Sequence, residues 1–187
     1  AAARHGIPYF DNLIPAYRGY GKGVSCYQCL PADELIVTNG SQGIEVKEIQ
    51  ELSEGDEVLS FSPRDKSIRF SRPRRIFATL HEGPIYLIQL EDGRRVKATG
   101  DHPVTVERDG KLLTISAREA RIGDRAPVVI HLPRSEEAQA SSPVMYLRVK
   151  KIGVEDYKGM VYDPVDVDGN HFANGLGVVT HNCCAYC

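Results

Sequence analysis

Ile85-Tyr86-Leu87-Ile88-Gln89-Leu90-Glu91-Asp92-Gly93-Arg94-Arg95-Val96-Lys97-Ala98-Thr99 is the stretch that decides the fold class. An apolar run from Ile85 to Leu90 meets Asp92-Gly93, a pair that accepts the positive φ of a tight turn, and returns as a second strand from Arg94 to Thr99. Working outward, the same pattern recurs. Leu35 to Thr38 and Ile44 to Val46 flank Asn39-Gly40, and Val104 to Glu107 and Leu112 to Ile115 flank Asp109-Gly110. Further strands are predicted over Val58 to Ser60, Arg69 to Phe77, Val128 to His131, Val144 to Val154, Met160 to Val167 and Leu176 to Thr180. The class is therefore all-β, with room for two helical turns.

Those turns carry a weak repeat. Ile49-Gln50-Glu51-Leu52-Ser53-Glu54-Gly55-Asp56 resembles Ala117-Arg118-Glu119-Ala120-Arg121-Ile122-Gly123-Asp124, each ahead of an apolar strand, as a duplicated β-unit would be. A helical turn ending in Gly-Asp is also common in unrelated chains. Residues 1–28 are rich in Gly and Tyr and form no domain of their own, while 134–143, with Ser-Glu-Glu-Ala-Gln-Ala-Ser-Ser at its centre, reads as a flexible loop.

Bulk properties narrow the function. The 187 residues carry a net charge of -2, without the basic footprint of a nucleic-acid binder, so no nucleic-acid partner is expected. No apolar stretch approaches the roughly 20 residues of a membrane-spanning helix, and Ala1-Ala2-Ala3-Arg4-His5 lacks the apolar run of a signal peptide, so a cytoplasmic monomer without a membrane partner is expected. The chain starts without Met and stops on Cys187 inside a cysteine cluster, which reads as an excerpt of a longer polypeptide.

All five cysteines, Cys26, Cys29, Cys183, Cys184 and Cys187, stand near the two ends, whereas a disulfide framework would be spread through the fold. One reading is a zinc site from Cys26-Tyr27-Gln28-Cys29 and Cys184-Ala185-Tyr186-Cys187. The other is chemistry at the peptide bonds themselves. In Thr180-His181-Asn182-Cys183, an Asn side-chain nitrogen beside a proton carrier can attack its own main-chain carbonyl and cut the chain as a succinimide. The thiol of Cys183 can accept an acyl group. At the other end, an N-to-S acyl shift at Cys29 would turn the Gln28-Cys29 amide into a thioester. That uphill step needs a donor to the carbonyl and an acid for the leaving amine, groups that Thr99-Gly100-Asp101-His102-Pro103 offers.

Together, Cys29-Leu30-Pro31, Thr99-Gly100-Asp101-His102-Pro103, Val161-Tyr162-Asp163, and Asn170-His171-Phe172-Ala173-Asn174-Gly175 leading to Val178-Val179-Thr180-His181-Asn182-Cys183 resemble, in order, the splicing motifs of inteins. The resemblance covers Cys29 to Cys183. It implies the horseshoe-like, pseudo-two-fold Hint fold shared with hedgehog autoprocessing domains. It also implies an N-extein segment at 1–28, a splicing domain at 29–182 and a C-extein segment at 183–187, the flanking exteins being the partners. The implied reaction is autocatalytic and cofactor-free: acyl shift at Cys29, transfer to Cys183, cyclisation of Asn182, and joining of the flanks. Thr99 and His102 would activate the first bond, Asp163 would orient or exchange protons with the thiols, and His171 and His181 would assist Asn182.

Some features depart from the pattern. Pro164 follows Asp163 and removes a backbone N–H, so Asp166 or Asp168 is an alternative carboxylate. Thr180 stands where the family usually has an apolar strand residue, a change expected to be harmless. The short loop between the halves carries no homing-endonuclease motif, as in a mini-intein. Joining Gln28 to Cys183 creates cysteine patterns similar to a radical-SAM iron-sulfur motif or to an anaerobic ribonucleotide reductase, the latter slightly favoured as host because of Gly6-Ile7-Pro8-Tyr9-Phe10 and Asn12. Cys26 and Cys29 have the spacing of a redox disulfide that would hold the precursor. A cleavage-only autoprocessing domain and a non-catalytic zinc-binding β-domain are the rival readings.

Overall fold

The computed structural model describes residues 29–133, 142–165, 167 and 171–182. Thirteen strands follow one another: β1 (Leu30–Pro31), β2 (Leu35–Gly40), β3 (Gly43–Glu48), β4 (Glu57–Phe61), β5 (Ile68–Ser71), β6 (Arg75–Leu90), β7 (Arg95–Thr99), β8 (Pro103–Arg108), β9 (Lys111–Ser116), β10 (Arg125–Val129), β11 (Val144–Val165), β12 (His171–Ala173) and β13 (Val179–His181). They are linked in the order β3-β2-β4-β12-β13-β8-β10-β11-β6-β7, with β1 on β11, β5 on β4 and β9 on β8. Among the described residues no helix is long and apolar enough to cross a membrane.

The repeat is real. β2, β3 and β4 match β8, β9 and β10 residue for residue at a constant spacing of 68, so that Leu35 pairs with Glu48 as Pro103 pairs with Ser116. Both predicted helical turns are 3-10 turns, Ile49–Glu51 and Ala117–Glu119, each closed by a capping box. Each ends in a buried aspartate that accepts from the backbone three residues earlier, Asp56 from Ser53 and Asp124 from Arg121, and pairs with a base, Lys47 at 2.7 Å and Arg108 at 2.7 Å. The two units meet at β12 and β13, which pair with each other and then with β4 and β8 respectively.

Several predicted boundaries move, for physical reasons. The first hairpin turns at Ser41-Gln42, not at Asn39-Gly40, because Asn39 and Gly40 are consumed in pairing with Ile44 and Gly43 and the positive φ falls on Gly43. The segment predicted as one strand over 69–77 breaks between β5 and β6, where Pro73 removes a ladder donor. Conversely, the strands predicted over 144–154 and 160–167 are one 22-residue strand, β11, paired antiparallel with the 16-residue β6 from Val149↔Leu90 to Val165↔Arg75. Pro164 is accommodated inside this ladder, opposite Ile76. The strand predicted from Leu176 starts only at Val179, since Gly177 takes φ +84° where a Cβ would lie 2.3 Å from the Val129 carbonyl oxygen. Most of the loop predicted over 134–143 lies outside the described residues.

The main core gathers apolar faces from both units, including Leu30, Ile36, Val58, Val104, Val128, Phe172 and Val178. A smaller cluster of Cys29, Phe77, Val161 and Val165 packs where β1 meets the β6–β11 ribbon.

Candidate active site

The duplicated unit builds the site. In the second unit, the Thr99 carbonyl accepts from the His102 N–H at 3.0 Å and the His102 carbonyl accepts from Ala117 N–H at 2.8 Å. In the first unit, Pro31, Glu34 and Ile49 make the same turn, at 3.0 and 2.8 Å. His102 is therefore anchored by both of its backbone groups, and only its side chain remains to be oriented.

Thr99, the last residue of β7, meets the start of the described chain. The Cys29 N–H donates to Thr99 Oγ1 at 3.1 Å, and the Thr99 N–H donates to the Cys29 carbonyl at 3.0 Å. Cys29, Thr99, His102 and Asp163 are all essentially inaccessible to solvent. Asp163 lies in β11, one residue beyond the Leu30↔Tyr162 pair, and that register carried one step further sets it opposite Cys29. The alternatives Asp166 and Asp168 lie outside the described residues.

β13 brings in the other end. Thr180 pairs with Val104 of β8 on one side and Phe172 of β12 on the other, which seats Asn182, fully buried, at the strand's exit. His171 and His181 are register partners, with ring centroids 4.6 Å apart in an edge-on arrangement. His171 Nε2 is 2.8 Å from the buried Thr105 hydroxyl. His181 Nδ1 contacts the Asn182 carbonyl oxygen, and burial lowers its pKa against the opposing effect of that contact, so the ring favours the neutral form. Cys183 and Cys26, and with them any zinc or disulfide geometry, lie outside the described residues.

Sequence reasoning missed the hydroxyl partners of the histidines. Thr180 Oγ1 is 2.7 Å from His102 Nε2, so the threonine regarded as a harmless departure touches the candidate base. It also missed Glu34, which by the 68-residue spacing stands where His102 stands in the other unit. Glu34 accepts from Asn174 Nδ2 at 2.9 Å and from the Lys97 N–H at 3.3 Å. Burial pushes its pKa up to about 7, against the lowering effect of those hydrogen bonds.

The folded pKa of Glu34 exceeds its unfolded value near 4.5, so its contribution to stability is fully present below pH 4.5 and is lost as pH rises through 7. At ~1.4 kcal/mol per pH unit over that window, the loss is about 3 kcal/mol. Urea unfolding at pH 5, 6, 7 and 8 should show this decline, and Glu34→Gln should flatten it; an equal slope in both proteins would assign the decline to other groups.

Comparison with known proteins agrees with this geometry. A family model described as the intein splicing domain matches residues 35–182. The chain is 28% identical over 127 residues to DNA-directed RNA polymerase subunit Rpo1C of Methanocaldococcus jannaschii, covering 68% of the chain and 14% of that protein. It is 29% identical over 133 residues to reverse gyrase of Pyrococcus horikoshii, covering 70% of the chain and 8% of that protein. The likeness is thus to a small segment of each. Among solved structures, the transcription factor IIB Mvu mini-intein superposes with a TM-score of 0.71 at 23% identity, over 83% of this chain and 99% of that one. The KlbA intein precursor from Methanococcus jannaschii gives 0.68 at 20% identity, over 85% and 93%.

The fold and the family match define an autoprocessing β-domain of the Hint type. The chain belongs to the intein splicing domain family, whose activity is autocatalytic peptide cleavage and ligation.

Proposed function

We propose that residues 29–182 excise themselves from the flanking 1–28 and 183–187 segments through Cys29, Asn182 and Cys183. The reading rests above all on the convergence of the two junctions: Cys29 is clasped by Thr99, His102 follows in the same turn, and β13, paired beside His102, delivers Asn182. In the first step the Cys29 sulfur attacks the Gln28 carbonyl carbon, the Gln28-Cys29 C–N bond breaks, and the freed amine takes up a proton. Thr99 Oγ1 lies 3.1 Å from that nitrogen, His102 follows in the same turn as the proposed proton carrier, and a positioned acid or base contributes typically 10²–10⁴-fold. Asp163 is the carboxylate proposed to exchange protons with the thiols of Cys29 and Cys183.

Cys183 then takes over the acyl group, leaving a branched chain. The Asn182 side-chain nitrogen attacks its own carbonyl and forms a succinimide, releasing Cys183 with a free amine. His181 Nδ1 is placed to donate to that carbonyl oxygen as it gains negative charge, and His171 packs edge-on against the His181 ring. The amine of Cys183 finally displaces its own thioester, and the joined amide carries the sequence forward.

The host is proposed to be an anaerobic ribonucleotide reductase or a radical-SAM enzyme of the cytoplasm, on the cysteine pattern across the joined ends. The polymerase and reverse gyrase relatives carry their similar segments in other hosts.

Intact mass spectrometry of the expressed chain, with and without a thiol reductant, tests the reaction. The expected products are a 29–182 fragment ending in succinimide, or its hydrolysis product, and the joined flanks. Separate flanks would mean cleavage alone, and an unchanged chain carrying zinc would favour the binding-domain reading. Cys29→Ala should remove the joined product and leave at most cleavage after Asn182.

A further inference from the structure

Thr180 lies in β13 two residues before Asn182, yet its side chain reaches His102, in the turn that leaves Thr99. Its hydroxyl is 2.7 Å from His102 Nε2 and 3.4 Å from the Pro103 carbonyl oxygen, and both Thr180 and His102 are fully buried. A hydroxyl has one proton to give, and a carbonyl can only accept. The one arrangement in which both contacts are hydrogen bonds has Thr180 Oγ1–H donating to Pro103 and His102 Nε2–H donating to Thr180 Oγ1. In the neutral ring this puts the proton on Nε2 and leaves Nδ1 as the basic nitrogen, since the partner of one ring nitrogen selects the state of the other.

The first unit contains the matching device. Phe172 and Asn174 occupy in β12 and its exit the places that Val178 and Thr180 occupy six residues later: Ile36 bridges Asn174 as Val104 pairs with Thr180. Asn174 Nδ2 binds Glu34 at 2.9 Å just as Thr180 binds His102, and Glu34 and His102 are themselves equivalent. In both halves the residue ahead of the first hairpin is held by a side chain from the crossing strand. The pairing point therefore belongs to the duplicated fold, and one copy has been fitted with a titratable ring and a hydroxyl.

We propose that Thr180 is a positioning residue for the first step, holding His102 in the Nε2–H tautomer and making its activation of the Cys29 bond conditional on the seating of β13. The inference rests on the splicing reading above. Its logic is protective: a thioester is open to attack by water or stray thiols, and this contact lets it form only when the strand that carries Asn182 is in place. Threonine is well suited because both sides of β13 are paired, so its Cα has little freedom, and β-branching restricts its χ1.

The test uses the full chain carrying Asn182→Ala and Cys183→Ala, so that thiol-induced cleavage at Gln28-Cys29 reports the first step alone. Thr180→Val, nearly isosteric, is expected to slow that cleavage at least ~10-fold, and Thr180→Ser to keep it within ~3-fold of the parent. In parallel, ¹⁵N spectra of the histidine rings read the tautomer whether or not the chain reacts: His102 should be Nε2–H in the parent and lose that preference in Thr180→Val. An unchanged cleavage rate in the valine variant, equal slowing in valine and serine variants, or an Nδ1–H parent ring would each overturn the proposal. A parent that shows the Nε2–H ring but no thiol-induced cleavage would instead sink the splicing reading and leave the tautomer assignment standing.

Discussion

Replacing His102 with Gln is expected to lower the rate of thioester formation at Cys29 by about 10²–10⁴-fold, the range over which a positioned proton carrier acts. Glutamine approximates the reach of the imidazole and can still donate to Thr180, so the turn between Thr99 and Ala117 should survive, held as it is by backbone hydrogen bonds at 3.0 and 2.8 Å. What it lacks is a group that can give and take a proton near neutral pH. In the proposed mechanism cyclisation of Asn182 is assisted by a different ring, His181, which contacts the Asn182 carbonyl oxygen. The signature is thus a split: thiol-induced N-terminal cleavage collapses while cleavage after Asn182 falls far less, both read by mass spectrometry over a time course. Equal loss of the two would point to a damaged fold, and no loss would remove His102 from the proposed chemistry.

Phe172→Ala is expected to cost ~3–5 kcal/mol, a large part of the ~5–15 kcal/mol that holds a typical domain. Phe172 is completely buried and sits in β12 between Ser60 of β4 and Thr180 of β13, where the two units join. Truncation would open a cavity against the core that contains Ile36, Val58, Val104 and Val178, and the paired strands on either side limit how far the walls can collapse. Urea unfolding of the purified chain would register the loss as a lower midpoint. Because the cavity lies beside the strand that carries Thr180 and Asn182, slower release after Asn182 should accompany it. A change below ~1 kcal/mol would show that the unit interface repacks freely.

The hairpins were legible because their turn chemistry is local. Asp109-Gly110 takes positive φ at both positions, as a tight two-residue turn requires. Asn39-Gly40 carries an equally good signal and is nevertheless overridden, because pairing with β3 on one side and β4 on the other draws Asn39 into the ladder and leaves Ser41-Gln42 to turn. The ribbon of β6 and β11 was seen only in pieces: its length is set by the partner strand, and short windows of sequence hold no record of that partner. The repeat could be read at residues 49–56 and 117–124, where glycine and aspartate serve the same turn twice, but not at Glu34 and His102, which share a position and no chemistry.

Sequence alone determined the all-β class, the ordered motifs, and the candidates Cys29, Thr99, His102, His181 and Asn182, each a reactive residue type beside a turn or a junction, while Asp163 and His171 are implied only by the resemblance to the intein motifs. Only the tertiary structure decided which side chains meet. The contacts of Cys29 with Thr99, of His102 with Thr180 and of Glu34 with Asn174 join residues remote in the chain, through strand registers fixed by burial of the shared core. Hydrogen bonds depend on a few tenths of an ångström and on the direction of a lone pair, and neither quantity is written in the order of residues along one strand.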